Sequence, residues 1–482
     1  SGPRSAKSIC DRGIASSPGA QTCALMKCVF DAVFPNKARQ SAKVPEKQRS
    51  NGCIGSLLQC ILPGTSELPL TMTSLFGQLS NKVAKAADGS RSCRAMPELR
   101  VRVVDTEAGH RQFGVVMGKH FRERIRVTFE EDAKLRQFTN SKVVAPLLDA
   151  MMRFHQEAYP LLWAEVEGIA EGSGLPLKEV AAASFRQELE VAAGAEVSEA
   201  CTDIHIAGGG MLAFGHNEDY GAVFADRLYL VTAEIGDERG KPYTFTAMTF
   251  PGVLPGWGPS VTSKGLGITM NVTSPTRAQP ALVDEQLVAV AFACRDMISG
   301  RTVDEVLQIA APRRLRLGMN LNVGGTWDQK ILSVEIGPGG NTDVKCLEQW
   351  APETTPFGHT NHYNRLQIKQ DTASASSERR LIRYEQLANQ VQSVRDIFDV
   401  LGDAQDEEMP IFKGPEPPGK QTEYLTLATW GFNFTEGVAR VWVHDHSKGL
   451  PWLPSPEYWE SPTLSIQIPR PVPGSNHTGK TA

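Results

Sequence analysis

Apolar and polar positions recur with a period near two in some stretches and near 3.6 in others. The switches between the two periods divide the chain. Residues 99–104 (Leu-Arg-Val-Arg-Val-Val) alternate as a strand does. Helical spacing follows over 118–129, 142–157, 161–174 and 177–190. The third of these closes on Glu171-Gly-Ser-Gly174, a glycine stop suited to a helix C-terminus. Residues 195–200 are a linker of mostly small residues leading into Cys201. There the period drops back to two: a short strand from Cys201 meets Gly208-Gly209-Gly210, and a second strand ends in the polar cluster His216-Asn217-Glu218-Asp219. Residues 228–235 and 243–248 form a hairpin across a turn at 237–240, and 265–271 is a further strand. Two helices come next. One, 285–298, is apolar around most of its circumference and is expected to be buried. The other opens with the capping box Thr302-Val-Asp-Glu305 and runs to about residue 311. Strands return at 318–323 and 330–336. After a loop, helices at 376–390 and 393–401 lead to a closing hairpin, 425–432 with 438–443.

Helices, strands, helices, strands: that order suits two sheets between helical layers better than a βαβ alternation. The predicted fold class is α+β, a four-layer αββα sandwich. Residues 97–200 form its helical first segment and 201–450 the region that begins at Cys201. Residues 1–96 are rich in Ser, Lys and Arg and poor in acids, with turn-formers interrupting each apolar patch. They read as a transit-like or unfolded leader, or as a truncated start, since the chain opens on Ser1. Residues 451–482 read as a proline-rich, unstructured tail.

Composition narrows the functional classes. Apolar content of 41% and charged content of 22% are ordinary for a globular protein. A net charge of −4 gives no electrostatic case for nucleic acid or an anionic membrane as partner. No apolar run approaches the roughly 20 residues that span a bilayer. Six of the nine cysteines lie in the first hundred residues, leaving Cys201, Cys294 and Cys346. That is no disulfide scaffold, so an intracellular, reducing location is expected, or an organelle if the leader is a transit peptide. Cys23 and Cys28 have no second pair at zinc-site spacing.

A cysteine heading a strand is, by residue type, usually a buried core thiol. It acts as a nucleophile only as thiolate, and a base must take its proton. A cysteine at a chain N-terminus carries that base itself: its α-amino group titrates near 7.7–8.0, about 7–8 being the useful range at neutral pH. Ser198-Glu199-Ala200 before Cys201 is uncrowded, so the thiol could attack the Ala200 carbonyl and be released by water.

Five motifs stand in register around this cysteine: Cys201-Thr202, Gly215-His-Asn-Glu-Asp219, Gly267-Ile-Thr-Met-Asn271, His359-Thr-Asn-His362 and Ser377-Glu-Arg-Arg380. Upstream stand Glu167-Gly-Ile-Ala-Glu-Gly-Ser-Gly174 and Phe185-Arg-Gln-Glu188. Together, over residues 97–451, they resemble the cysteine N-terminal-nucleophile hydrolases related to acyl-coenzyme A:6-aminopenicillanic acid acyltransferase. The insect β-alanyl-dopamine hydrolases are similar, the bile-salt hydrolases more distantly so. The resemblance implies the N-terminal-nucleophile αββα fold, self-cleavage between Ala200 and Cys201, and two cleaved chains that remain associated. It implies Cys201 as the nucleophile and Asp219 as the holder of the newly exposed α-amino group. Asn271 and Asn361 would be amide donors to the tetrahedral intermediate, and Arg380 would pair with Asp219 or steady the Cys201 region. His216 and Thr202 would face the substrate. The expected reaction is acyl transfer from a small-molecule amide through a Cys201 thioester. Water as acceptor makes it an amidohydrolase, the favoured reading, on an N-acyl amine such as a β-alanyl amine. An acyl-coenzyme A donor makes it an acyltransferase. No cofactor and no metal are required. Two departures bear on this: many relatives cut after Gly where Ala200 stands here, and some carry arginine where His216 stands.

The bland readings remain beside these: Asp219 as a turn cap, Asn271 as a strand-end hydrogen bonder and Arg380 as a helix-face charge. Asn271-Val-Thr is also a glycosylation sequon. A catalytically silent binding protein on the same fold is the alternative from another class. His444-Asp-His446 places two imidazoles on one strand face without a third ligand. Cys201, His359 and Asn361 stand in the order of papain-like thiol proteases, but Cys201 heads a strand hairpin rather than a helix. There is no phosphate-binding Gly-x-x-x-x-Gly-Lys loop and no His-Glu-x-x-His.

Overall fold

A computed structural model describes residues 95–194, 201–236, 242–273, 286–312, 314–370, 375–415, 423–446 and 454–471. All of them belong to one compact unit, Lys85–Ala482. The leader expected over 1–96 lies, but for its last two residues, outside the described residues. So do the linker 195–200 and the turn 237–240.

The fold is two sheets face to face with helices on both outer faces, the αββα layering read from the element order. The first sheet runs β1 (Glu98–Val104), β4 (Tyr229–Gly236), β5 (Tyr243–Thr249), β6 (Ser260–Thr262), β7 (Leu266–Thr273), β8 (Gly318–Gly325), β9 (Lys330–Ile336), β10 (Thr342–Glu348). Only β1 with β4 is parallel; the other pairs are antiparallel. The second sheet is antiparallel throughout: β11 (Thr355–His359), β2 (Thr202–Gly208), β3 (Met211–Gly221), β12 (Tyr424–Asn433), β13 (Val438–Val443), β14 (Leu464–Gln467). One continuous core joins Ile268, Met270 and Leu321 of the first sheet to Phe214, Leu427 and Phe432 of the second. A separate cluster sits behind the second sheet, where Ile204, Ile206 and Ala213 meet Ile397 and Leu401 of α11 (Val394–Leu401). Beside α11 lies α10 (Ala375–Leu387), and Ser393 caps α11 with a full capping box.

The layer over the first sheet is built on α1 (Glu107–His120) and α5 (Pro160–Ser173). Each carries two glycines four residues apart, Gly114 and Gly118 against Gly168 and Gly172. A Cβ on Gly114 would stand 2.2 Å from the Glu165 carbonyl oxygen, and one on Gly168 would stand 2.1 Å from that of Arg111. The two backbones touch, which only hydrogen side chains allow. This gives the Glu167–Gly174 motif a packing role. Buried ions hold the layer as well: Arg295 of α8 (Val290–Met297) pairs with Glu165 of α5 at 2.7 Å and lies 4.8 Å over the Phe245 ring.

Several boundaries differ from the sequence reading. The helix expected over 118–129 is two, α1 and α2 (Arg122–Glu131), parted at Phe121. The helix expected over 177–190 is also two, α6 (Leu177–Ser184) and α7 (Arg186–Ala192), parted at Phe185. Neither break has a glycine or proline. In both the phenylalanine is buried, Phe121 stacked on Tyr229 and Phe185 on Phe292, so ring packing bends the chain against its propensity. A short helix not expected, α3 (Ala133–Asn140), precedes α4 (Ala145–Ala158). The helix expected from 285 is confined to α8; before it Val288 bridges Leu315 as a strand would. At α9 (Val303–Ala310) Thr302 caps Glu305, but the Glu305 carboxylate turns to the Arg301 N–H, so the capping box is half made. Strands β6, β10 and β11 are not among the expected elements; β10 is a polar edge and β11 carries Pro356, tolerated at an edge. The tail expected to be unstructured forms a 3₁₀ turn at Pro456–Glu460 and then β14, which closes the second sheet.

Gly168→Ala should cost about 1–3 kcal/mol, because overpacking at the α1–α5 contact outweighs the helix propensity gained. Urea unfolding should show a lower midpoint at unchanged slope. An unchanged or higher midpoint would mean that the two backbones are not in contact.

Candidate active site

The site begins with a turn. Gly208, Gly209 and Gly210 hold φ of +108°, +59° and +89°, a run that residues with a Cβ rarely adopt. The turn sets the register of β2 on β3: Gly208 opposite Met211, and at the far end Asp203 opposite His216 and Thr202 opposite Asn217. One residue further on, Cys201 comes opposite Glu218. Side chains alternate across a strand, so Cys201, Asp203, His216 and Glu218 all face the first sheet. Thr202 and Asn217 face α10 and α11.

On the inner face Asp203 is the hub. It is fully buried and accepts from His216 Nδ1 at 2.9 Å within its own sheet. From the first sheet it accepts from Thr269 Oγ1 at 2.7 Å and Asn271 Nδ2 at 2.6 Å. Burial pushes this carboxyl up, but the His216 charge, its hydrogen bond and the Thr269 hydroxyl pull it below its ordinary value. Burial likewise opposes the His216 imidazolium. The Asp203 charge outweighs it, helped by hydrogen bonds to Asp203, Cys201 and Glu218, and holds the ring well above its ordinary pKa. His216 Nε2 meets Glu218 Oε2 at 3.3 Å, and the Cys201 thiol lies 4.0 Å from Glu218 Oε1. Burial raises the Glu218 pKa despite His216. Cys201 is 1% exposed. The donor atoms of Cys201, His216 and Glu218 all lie within 4.8 Å of one another, a set able to hold a metal ion.

On the outer face Arg380 of α10 is fully buried. Its Nη1 donates to the Cys201 carbonyl at 2.5 Å and the Thr202 hydroxyl at 2.8 Å, and its Nη2 to Asn361 Oδ1 at 2.9 Å. Its hydrogen bonds go to the Cys201 region, and the Asp219 charge acts on it as well. Ser377, three residues before it, accepts from the Asn361 N–H at 2.6 Å and bonds His362 Nδ1 at 2.7 Å, so the Ser-x-x-Arg and His-Thr-Asn-His motifs form one unit. Glu335 of β9 anchors the same loop, accepting from His359 Nε2 and the N–H groups of Asn364 and Leu366. Burial raises its pKa, yet these donors, His359 foremost, bring it down to about 2.

Four sequence-predicted residues are brought together: Cys201, Thr202, His216 and Arg380. Asn271 joins them through Asp203 and Asn361 through Arg380. The Asn271 amide donates to Asp203 and that of Asn361 to the Val272 carbonyl at 3.1 Å. Asp219 lies on the opposite side of the strand from His216, where its charge acts on Arg380. It turns to the outer face, accepts from Thr426 Oγ1 at 2.6 Å and pairs with Lys413 Nζ at 3.1 Å. Asn271 is fully buried, which excludes a glycan on its sequon. His359 commits both ring nitrogens, to Thr360 O and Glu335, so it is not placed to serve Cys201 as in a papain-like protease. His444 and His446 are engaged with Tyr458 and Thr429, and with Thr426 O, respectively. Ala200, and with it the expected cleavage bond to Cys201, lies outside the described residues.

Asp203, Glu218 and Lys413 were not singled out from the sequence. Register was the available signal for the first two, since the glycine turn fixes which residues face His216. Lys413 lies in a loop with no motif.

The acyl-coenzyme A:6-aminopenicillanic acid acyl-transferase family model matches residues 206–448. The chain belongs to this family. Its members act on amides by hydrolysis or acyl transfer, and the chain is an enzyme of that general kind. Among solved structures it is similar to a Caenorhabditis elegans N-acylethanolamine-hydrolyzing acid amidase ortholog, at 12% identity and a TM-score of 0.34, over 56% of this chain and 100% of that one. It is also similar to a mutant of the conjugated bile acid hydrolase from Clostridium perfringens, at 13% identity and a TM-score of 0.32, over 50% of this chain and 89% of that one. No curated protein matches it. Among the described residues no helix is long and apolar enough to cross a membrane.

Lys413 offers a test of the outer cluster. Burial brings its pKa from 10.5 down to about 8, although Asp219 opposes the shift. Between those values the unfolded chain holds a proton that the folded chain has released, so stability rises with pH through that window. Lys413→Met should flatten the rise, by up to about 3 kcal/mol at 1.36 kcal/mol per unit. Denaturant unfolding of both proteins from pH 7 to 11 measures it. Equal slopes would show that Lys413 is not buried against Asp219.

Proposed function

We propose that this member of the acyl-transferase family is a self-processing cysteine amidohydrolase acting on an N-acyl amine through a thioester on Cys201. The observation that carries the reading is the setting of Cys201: a thiol at the head of a strand, beside the imidazolium of His216, with its own carbonyl gripped by Arg380. A neighbouring cation favours the thiolate. The grip on the carbonyl fixes the one residue that must become an N-terminus.

In the first reaction the Cys201 sulfur attacks the Ala200 carbonyl carbon. The C–N bond breaks, the thiol proton goes to the departing nitrogen, and water hydrolyses the resulting thioester. The products are an Ala200 carboxylate and a Cys201 that carries both its thiol and an α-amine. In turnover that amine takes the thiol proton, and the thiolate attacks the substrate amide. The substrate amine leaves with the proton, and water releases the acid from the thioester. Asn271 and Asn361 each donate one N–H to the protein, and a second N–H remains on each –NH₂. Those second donors suit the oxyanion, where such a bond is worth roughly 10²–10³ in kcat. With an acyl-coenzyme A thioester as donor the same steps run as acyl transfer to an amine.

Intact mass and N-terminal sequencing test the first reaction. The purified chain should contain a fragment beginning Cys-Thr-Asp-Ile-His, and Cys201→Ala should leave a single chain. An active protein that stays uncut would remove the α-amine from the mechanism. A panel of short acyl amides and β-alanyl amines tests the second: transfer from acyl-coenzyme A without amide hydrolysis would reverse the preference for hydrolysis.

A further inference from the structure

Three side chains of different chemistry converge on one buried point, the Cys201 thiol, His216 Nε2 and the Glu218 carboxylate. We infer that this triad reversibly binds zinc, and that the ion silences the thiol.

The orientation of each donor supports this. Asp203 accepts a hydrogen bond from His216 Nδ1–H, which keeps that proton on Nδ1 and leaves Nε2 as the outward end of the ring, aimed at Glu218. A carboxylate behind a histidine is the usual support of a histidine zinc ligand: it fixes the tautomer and strengthens the outer nitrogen as a donor. Asp203 is itself held by Thr269 and Asn271 across the sheet interface, so the ring cannot swing away. Glu218 points one oxygen at the thiol, at 4.0 Å, and the other at Nε2, at 3.3 Å. Zinc bonds of about 2.3 Å to sulfur and about 2.0–2.1 Å to nitrogen put tetrahedral donors roughly 3.5 Å apart. The Nε2–carboxylate separation is already close to that figure and all three donor atoms lie within 4.8 Å of one another, so the site closes on an ion by drawing the thiol inward. One sulfur, one nitrogen and one oxygen suit zinc and exclude the hard cations, which take oxygen alone. The thiolate and Glu218 together balance the two charges of the ion.

On binding, zinc bonds form to the Cys201 sulfur, His216 Nε2 and Glu218, the thiol proton and the Nε2 proton of the imidazolium both pass to water, and aqua ligands leave the ion. No oxidation state changes. The fourth position falls to water in the uncut chain. If Cys201 becomes an N-terminus as proposed above, its amine and thiolate close a five-membered chelate on the same ion. That fourth ligand alone rests on self-cleavage. Zinc then occupies the lone pairs of both the nucleophile and its base.

The test is zinc titration of the full chain against a chromogenic chelator, repeated with cobalt(II) to read thiolate-to-metal charge transfer. Six cysteines lie between positions 10 and 93, so the diagnostic quantity is the difference between variants. Native protein should bind one equivalent more than Cys201→Ala or the near-isosteric Cys201→Ser, and the matching charge-transfer band should vanish in both. His216→Arg should weaken that equivalent at least tenfold, and Asp203→Asn by roughly 10–100-fold. Cys346→Ser, at an exposed cysteine, should leave it unchanged. Equal stoichiometry in native and Cys201 variants overturns the inference, as does a band unmoved by both His216→Arg and Glu218→Gln. Intact mass on the same samples separates the two readings. An uncut chain that binds the extra equivalent keeps the zinc site and rejects self-cleavage, and a cut chain that lacks it does the reverse.

Discussion

A carboxylate buried between two sheets is the constraint on which the site depends. Removing Asp203 from water costs several kcal/mol even after relaxation. It is offset by an imidazolium and two further donors, with hydrogen bonds to a charged group worth roughly 1.5–3 kcal/mol each. The donors come from both sheets: His216 from β3, and Thr269 and Asn271 from β7. The balance is met only when the sheets are stacked in one register. The Asn271 side-chain Oδ1 accepts from the amides of Asn320 and Asn322, and the Ser333 hydroxyl donates to Asn320 Oδ1, so the network extends to β8 and β9. Charge at the thiol and register between the sheets are therefore set by one group.

The second constraint is on the outer side of the same hairpin. Arg380 crosses from α10 to the Cys201 carbonyl, and burial works to lower its pKa against Asp219 and Cys201. Asp219 and Lys413 stand with it as one buried group of opposed charges. Taking any one out leaves the others desolvated and unpaired, which costs far more than the pair itself contributes. The motif residues of β3 thus divide by strand parity. His216 and Glu218 work on the thiol from inside the sandwich, while Asn217 and Asp219 tie the hairpin to the helices and loops behind it. Asn217 does so by donating to Leu401 O at 2.8 Å.

Much of this was legible in the chain. Period-two runs located β1, β2–β5, β7–β9 and the final hairpin, because a half-buried strand must alternate. The order of periods gave the layering. Breaks at Phe121 and Phe185 were not legible, since each is made by a ring that finds its partner far along the chain, Tyr229 or Phe292. Edge strands β10 and β11 escaped for the opposite reason: with little to bury they carry little pattern. At the site, residue type marked Cys201, His216 and Arg380. It did not say on which face of the strand Asp219 stands, because a one-residue step along a strand reverses the face and the motif alone does not say which face holds the thiol.

The triple glycine is where sequence and chemistry connect most directly. A tight turn at 208–210 leaves a single antiparallel register. That register, extended outward, puts Cys201 against Glu218 and Asp203 against His216 without reference to any other part of the fold. Shifting it by one residue would turn the thiol outward toward Arg380 and bring Thr202 to the sheet interface in its place. The thiol then loses its imidazole, and Asp203 loses every donor it has. The hairpin therefore cannot form in a neighbouring register without stranding a buried charge, and the cost of that charge is what makes one local turn decisive for the whole site.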